Sequence, residues 1–170
     1  MDNVYPPVGF YFRLSFGEGS SKVDAAFKEV SGLSMEMNTE EITEGGNNAF
    51  KHRVPTSVKF SNLVLKRGMV PKDSPIVTWC METLGGGLDA LIKTKNITVS
   101  LLDENGDPLK SWGFANAWPV KWSASDFNSM NNEVVIETLE FSYSYFEEVT
   151  VTPSGGEQAV EDLFGSLFDD

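Results

Sequence analysis

The chain has 170 residues, 41% of them hydrophobic, enough apolar material for one ordinary globular domain with a sizeable core. Acidic side chains outnumber basic ones 25 to 13, and the resulting formal charge of -12 repels nucleic acid backbones and anionic lipid surfaces. The single cysteine, Cys80, excludes an internal disulfide, and no apolar run approaches the roughly 18 residues of a membrane helix. Met1 to Pro7 is polar and proline-broken instead of basic and then apolar, so the expectation is synthesis in the cytoplasm without a signal peptide and no stable membrane anchoring.

Phe10, Phe12, Leu14 and Phe16 alternate with Tyr11, Arg13 and Ser15, the period of a half-buried strand, and residues 17–21 read as a turn. A second strand begins near Ala25 and runs through FKEVSGLSMEMNTEEITEGG, where Leu33, Met35 and Met37 alternate with Ser34, Glu36 and Asn38. One face is expected to be apolar and the other to meet water. The Ser31-Gly32 step suits a bulge better than a two-residue hairpin, so Phe27 to Glu44 reads as one long kinked strand. From Gly45 to Ser57 the pattern lapses into GGNNAFKHRVPTS, a long loop that gathers Lys51, His52 and Arg53 in an otherwise acidic chain. The next strand, Val58 to Leu65, carries Val58 and Phe60 on one parity and Leu63 and Leu65 on the other, and ends at Lys66, Arg67 and Gly68.

Asp73, Ser74 and Pro75 form a helix start, with an N-cap side chain and proline in the first turn. Ile76, Val77, Cys80, Met81 and Leu84 give an apolar stripe bordered by Trp79, and Gly85 to Gly87 ends this helix, the one strong helix of the body. Ile97, Val99 and Leu101 make a further strand, and Asn105-Gly106 signals a hairpin turn. The return strand places Trp112, Phe114, Trp118 and Trp122 on one parity, with Pro119 marking an edge or bulge.

Asn131 to Phe146 is an unbroken run of strand formers that would span roughly 50 Å if straight. A compact body of this chain length has a radius of gyration of only about 15 Å. The strand must therefore bend, change sheet or project toward a partner. Val134 and Ile136 share one parity, and Leu139, Phe141, Tyr143 and Tyr145 share the other, so a bulge or a switch of buried face is expected between Ile136 and Leu139. The chain divides into a body, residues 1–150, and a tail, residues 151–170. In the tail Val160, Leu163, Phe164, Leu167 and Phe168 follow the spacing of a short amphipathic helix and are candidates for docking. Its acids are Glu157, Glu161, Asp162, Asp169 and Asp170, and a flexible tether, Thr152 to Gly156, precedes it.

No stretch offers a catalytic constellation. His52 is the one histidine and has no second metal ligand at zinc-helix spacing. Cys80 lies on an apolar helix stripe, as a small core residue would. Gly85 to Gly87 lacks a Gly-Lys-Ser/Thr ending, and Asp103, Glu104, Asn105 and Asp107 do not follow EF-hand order. Glu137 and Glu140 fall on opposite strand faces, against a paired acid and base. Long strands, exposed acidic faces and one basic loop favour a self-assembling structural subunit over an enzyme, without metal or cofactor.

FKEVSGLSMEM with ITEGGNN (Phe27 to Met37, Ile42 to Asn48), NLVLKRG (Asn62 to Gly68), WGFANAWPVKW (Trp112 to Trp122) and NNEVVIETLEF (Asn131 to Phe141) occur together in a fixed order and spacing. Over Val8 to Glu148 this pattern resembles the tail tube protein family of contractile phage tails and phage-tail-like contractile injection systems. The resemblance implies a mostly β fold: a two-sheet antiparallel β-sandwich or barrel with one flanking α-helix, related to the type VI secretion tube protein. It also implies homohexameric rings whose long strands join an intersubunit β-barrel, and rings that stack into a hollow tube inside a sheath, driven through a target envelope when the sheath contracts.

On that reading the partners are further copies of the chain, a sheath protein, baseplate or spike and cap proteins, and a lumenal cargo, in a virion or a released injection particle. Glu36, Asn38, Glu40, Thr138, Glu140 and Ser142 would line the lumen. The ring-stacking loop would contain Asn47, Asn48, Lys51, His52 and Arg53, with Lys51 and Arg53 meeting acid on the next ring. The chain departs from the family where the last strand reads FSYSYFEEV, Phe141 to Val149, in place of a short motif with histidine and glycine, and in the tail from Thr152. The alternative from another class is a secreted binding or effector module that uses the tube fold.

Overall fold

The computed structural model describes residues 11–16, 22–43, 45–46, 51–69, 74–87, 89–126 and 134–150. The elements in order are β1 (Tyr11–Phe16), β2 (Lys22–Phe27), β3 (Glu29–Ser31), β4 (Met35–Ile42), β5 (His52–Phe60), β6 (Leu63–Gly68), α1 (Pro75–Gly85), β7 (Lys95–Leu102), β8 (Pro108–Ala124), β9 (Ile136–Ser142) and β10 (Tyr145–Val149). Eight strands form one antiparallel system in the order β2-β1-β7-β8-β9-β6-β3, with β10 also on β8, while β4 and β5 make a separate two-stranded sheet.

Strand β8 organises the body. Its 17 residues would extend about 56 Å if straight. It bends near the middle, where Asn116 takes a left-handed φ of 52° and the pairing register shifts between Pro119 and Lys121. The first part pairs with β7 and β10, the second with β9. Two sheets result, β2-β1-β7-β8-β10 and β8-β9-β6-β3, folded around one core. Leu14, Phe16, Phe27, Ile97, Val99 and Phe114 enter it from the first, and Leu63, Leu65, Leu139 and Phe141 from the second.

The helix places Ile76, Trp79 and Cys80 in that core, and Trp79 stacks between Phe16 of the first sheet (centroids 6.0 Å) and Phe141 of the second (5.6 Å). Trp79 is thus inside the stripe, whereas Met81 and Leu84, expected there, are 42% and 41% exposed. Pro75 opens the helix as expected, but Ser74 makes no side-chain cap: its hydroxyl accepts a hydrogen bond from Arg67 at 2.9 Å instead.

Several expected strands differ in extent. Phe27 to Glu44 is not one strand, because the chain turns at Gly32, whose φ is +87° and whose added Cβ would lie 1.8 Å from the Asn62 carbonyl oxygen. Val58 to Leu65 is broken at Ser61 and Asn62, which explains its change of parity. The second half of the Gly45 to Ser57 loop is strand: His52 and Arg53 open β5 and pair with Ile42 and Glu41.

The buried face of Asn131 to Phe146 does not switch between Ile136 and Leu139. Glu137, Leu139 and Phe141 are buried on one parity throughout β9, and the pattern looked broken because a carboxylate occupies a core position. The interruption falls at Tyr143 and Ser144. Beyond it β10 continues alongside β8, from Ser142 opposite Trp118 to Tyr145 opposite Ala115. Both long strands therefore cross from one sheet to the other at the same corner, held by Ser144 N–H on the Ala115 carbonyl (2.9 Å) and the Tyr143 ring edge-on to Phe114 (4.9 Å).

Candidate assembly surfaces

The β4–β5 hairpin stands off the sandwich. Neither strand pairs with any other among the described residues, and every residue of β4 is exposed. Its base is fixed where Ser34 and Ser61 hydroxyls meet at 2.7 Å, Tyr143 donates to the Ser61 carbonyl at 2.7 Å, and the Phe60 ring lies edge-on to Phe146. Met35 faces Phe60 across the ladder and Met37 faces Val58, so these four side chains share one face. Met35 is 60% exposed, Met37 59% and Val58 48%. The alternation of a half-buried strand holds, but only Phe60, at the base, is covered by the described body, by Tyr143 and Phe146, and Met35, Met37 and Val58 are left in water. A two-stranded sheet with both faces in water is marginal by itself.

The opposite face carries Glu36, Asn38 and Glu40, all exposed, with Lys59 across from Glu36. Asn38 donates to the Ser57 hydroxyl at 3.1 Å where the register shifts. Thr138, Glu140 and Ser142 lie on the outer, half-buried face of β9, and Glu140 accepts from the Asn62 amide at 2.8 Å. The two expected lumen sets therefore sit on separate sheets of one subunit. The β9 face is not uniformly acidic: Lys66 lies across from Thr138, Lys121 across from Glu140, and Lys66 pairs with Glu29 at 2.7 Å. Those lysines were legible only once strand pairing was known.

At the outer end of the hairpin Lys51 and Arg53 both reach Glu41, each at 3.2 Å, with His52 beside them in the strand. Asn47 and Asn48 lie outside the described residues, as do Val160, Leu163, Phe164, Leu167 and Phe168.

Inside the body, Arg67 and Glu137 form a buried pair at 2.7 Å. The Trp122 indole donates to the other Glu137 oxygen at 2.7 Å, and the Arg67 guanidinium stacks 5.0 Å from the Phe27 ring centroid. Burial, and then the nearby Glu137 charge, push the Cys80 thiol up to about 12, so it is a neutral core group at ordinary pH. Asp103 accepts the N–H groups of Asn105 (2.8 Å) and Asp107 (2.9 Å), which makes the turn. The Asp107 bond leads the causes that hold its carboxyl below the usual range. Among the described residues no three His, Cys, Asp or Glu side chains are grouped to hold a metal ion, and no helix is long and apolar enough to cross a membrane.

Comparison with solved structures agrees with this architecture. A chain in the cryo-EM structure of the six-fold symmetrised anti-feeding prophage baseplate is 28% identical, with a TM-score of 0.71, covering 85% of this chain and 95% of that one. A chain of the sheath-tube complex of the PVC extracellular contractile injection system in its extended state is 22% identical, with a TM-score of 0.70, covering 88% and 95%. A type six secretion system protein shares the fold at 14% identity, with a TM-score of 0.53, covering 82% and 83%. No curated protein matches the sequence. Residues 8–147, nearly the whole described body, match the family model of the T4-like virus tail tube protein gp19, and the chain belongs to that family of structural tube subunits.

Proposed function

We propose that copies of this chain close into hexameric rings that stack as the hollow inner tube of a contractile particle, and that the chain's work is mechanical, with no catalysis. The observation that carries this is the hairpin whose Met35, Met37 and Val58 side chains are left in water. Burying a methionine or valine side chain contributes about 1.5–3 kcal/mol, so a neighbouring copy that covers this face gains a contact repeated in every subunit. The bent pair formed by β8 with β9 and β10 supplies the long edge and face on which neighbours build a common wall. In that wall Glu36, Asn38, Glu40, Thr138, Glu140 and Ser142 face the channel, tempered by Lys66 and Lys121.

Rings stack through the hairpin end with Asn47, Asn48, Lys51, His52 and Arg53. Lys51 and Arg53 share one carboxylate in the subunit and keep donors for acid on the next ring. The origin of similar chains in a baseplate, a sheath-tube complex and a tube-terminating cap supports a sheath around the tube with baseplate and cap proteins at its ends, in a virion or released particle; on the same reading a spike tips the tube and a cargo fills its lumen.

Electron microscopy of the purified protein tests the reading. Stacked rings are expected, and Met37→Asp should abolish them while circular dichroism and the unfolding midpoint stay unchanged. Monomers at every concentration, or tubes undisturbed by Met37→Asp, overturn it.

A further inference from the structure

The contiguous exposed face of Met35, Met37 and Val58 is an aggregation hazard in any subunit that has not joined a ring. We propose that the chain's own C-terminal segment, residues 157–170, covers this face before assembly and is displaced when another copy docks. The covering stands on geometry and sequence alone; the displacement rests on the tube reading above.

Position argues first. Phe146, in the last strand before the tail, packs against Phe60 at the hairpin base with ring centroids 5.7 Å apart. β10 then runs away from the hairpin base as far as Val149, about 10 Å on, and the residues beyond it are long enough to return to the face. The stretch from Val149, where β10 ends, to Val160 can extend up to about 36 Å, while the face from Met35 to Thr39 is only about 13 Å long.

Dimensions and chemistry also match. The spacing of Val160, Leu163, Phe164, Leu167 and Phe168 gives one apolar side about 12 Å long if the segment is helical. The remaining positions include Glu157, Glu161, Asp162, Asp169 and Asp170, with no basic residue. Glu41 and Arg53 extend the same face of the hairpin toward its outer end, where Lys51 and Arg53 both stand against Glu41 and the other acid, Glu40, belongs to the opposite face. An acidic amphipathic segment thus meets apolar side chains flanked by cations. The family match ends at residue 147, so this segment is an addition to the part that builds tubes.

Methionine oxidation reads the covering directly, because the rate follows exposure of the sulfur. The full chain is treated with dilute hydrogen peroxide at a concentration where sedimentation gives single subunits, and each methionine is followed by mass spectrometry. Met35 and Met37 should oxidise several-fold more slowly than Met81, which is 42% exposed. In the chain carrying Leu163→Asp and Phe164→Asp they should reach the Met81 rate, with Met81 itself unchanged and tubes forming after a shorter delay.

Equal Met35 and Met37 rates in the two chains overturn the covering and leave the tube reading intact. Altered rates without rings in the microscope uphold the covering and sink the tube reading. In the full chain carrying Met37→Cys and Phe164→Cys, mild oxidation should give a disulfide within one chain, and a disulfide solely between chains overturns the own-chain arrangement. Cys80 is fully buried and does not compete.

Discussion

Two groups of charges separate the sandwich body from the hairpin arm. In the body, Arg67 and Glu137 have side chains only 2% and 4% exposed and sit 2.7 Å apart, with Ser74 and Trp122 among their hydrogen-bond partners. In the arm, Lys51 and Arg53 are 61% and 72% exposed against Glu41 at 42%. The chemistry is the same and the consequences are opposite. Charges taken out of water are costly unless fully partnered, so the body pair constrains how β6, β8, β9 and the helix start can meet. Charges left in water hold little and remain available to a partner. For these groups the contrast is sharp: the buried pair is satisfied inside the sandwich, and the arm leaves Met35, Met37 and its cations in water.

The largest expected effect comes from breaking the body pair on one side. Glu137→Ala leaves the Arg67 guanidinium buried without its carboxylate, and the loss of stability should be about 3–5 kcal/mol. Replacing both partners, Arg67→Met with Glu137→Leu, should cost less than the single change, since no charge is then stranded. Urea unfolding of the three chains checks the order. A double variant less stable than Glu137→Ala would mean that the pair contributes net stability instead of avoiding a penalty.

The junction between body and arm should be next. At Gly32 the backbone has φ +87° and passes so close to Asn62 that a Cβ would land 1.8 Å from its carbonyl oxygen. Gly32→Ala combines a left-handed alanine with a backbone clash and should cost about 2–3 kcal/mol or more. Because the strain lies where the arm leaves the sandwich, hydrogen exchange should quicken first in β4 and around Ser61. Uniform loss of protection across the body would show that the arm and the sandwich are less separable than their pairing suggests.

How far these regions were legible in the sequence follows the same division. Alternation of Leu14 and Phe16, of Ile97 and Val99 and of Leu63 and Leu65 located core strands because both partners of each contact lie in one chain. The Asn105-Gly106 turn and the start of the helix at Pro75 were equally local. Glu137 defeated the pattern because its partner, Arg67, is 70 residues away and no local rule marks a carboxylate as a core residue. The corner at Asn116 and Ser144 was hidden for a similar reason, since a left-handed asparagine in mid-strand has meaning only against the neighbour it bends around. Met35 and Met37 alternate with Glu36 as one side of a half-buried strand does, yet both are exposed, because alternation marks a face without naming what covers it. The lumen and stacking residues are legible only to the extent that a surface can be assigned before its partner is seen.

The smallest effect on the subunit, and the sharpest test of the contrast, is expected at the arm's charges. Lys51→Glu with Arg53→Glu turns a cluster of two cations and one acid into three acids. An exposed pair of this kind is worth at most about 1 kcal/mol to folding, so the unfolding midpoint should move little. If the arm's charges serve a neighbour, tubes in negative-stain images should shorten all the same, because each ring would then present acid to acid along the stack. Raising the salt concentration should restore part of the length, since screening acts on exposed charges over about 8–10 Å and leaves a buried pair nearly untouched. Normal tube length at low salt would place these cations outside the stacking contact. The arm would then differ from the body in exposure alone, with its apolar face as the one surface that a neighbour needs.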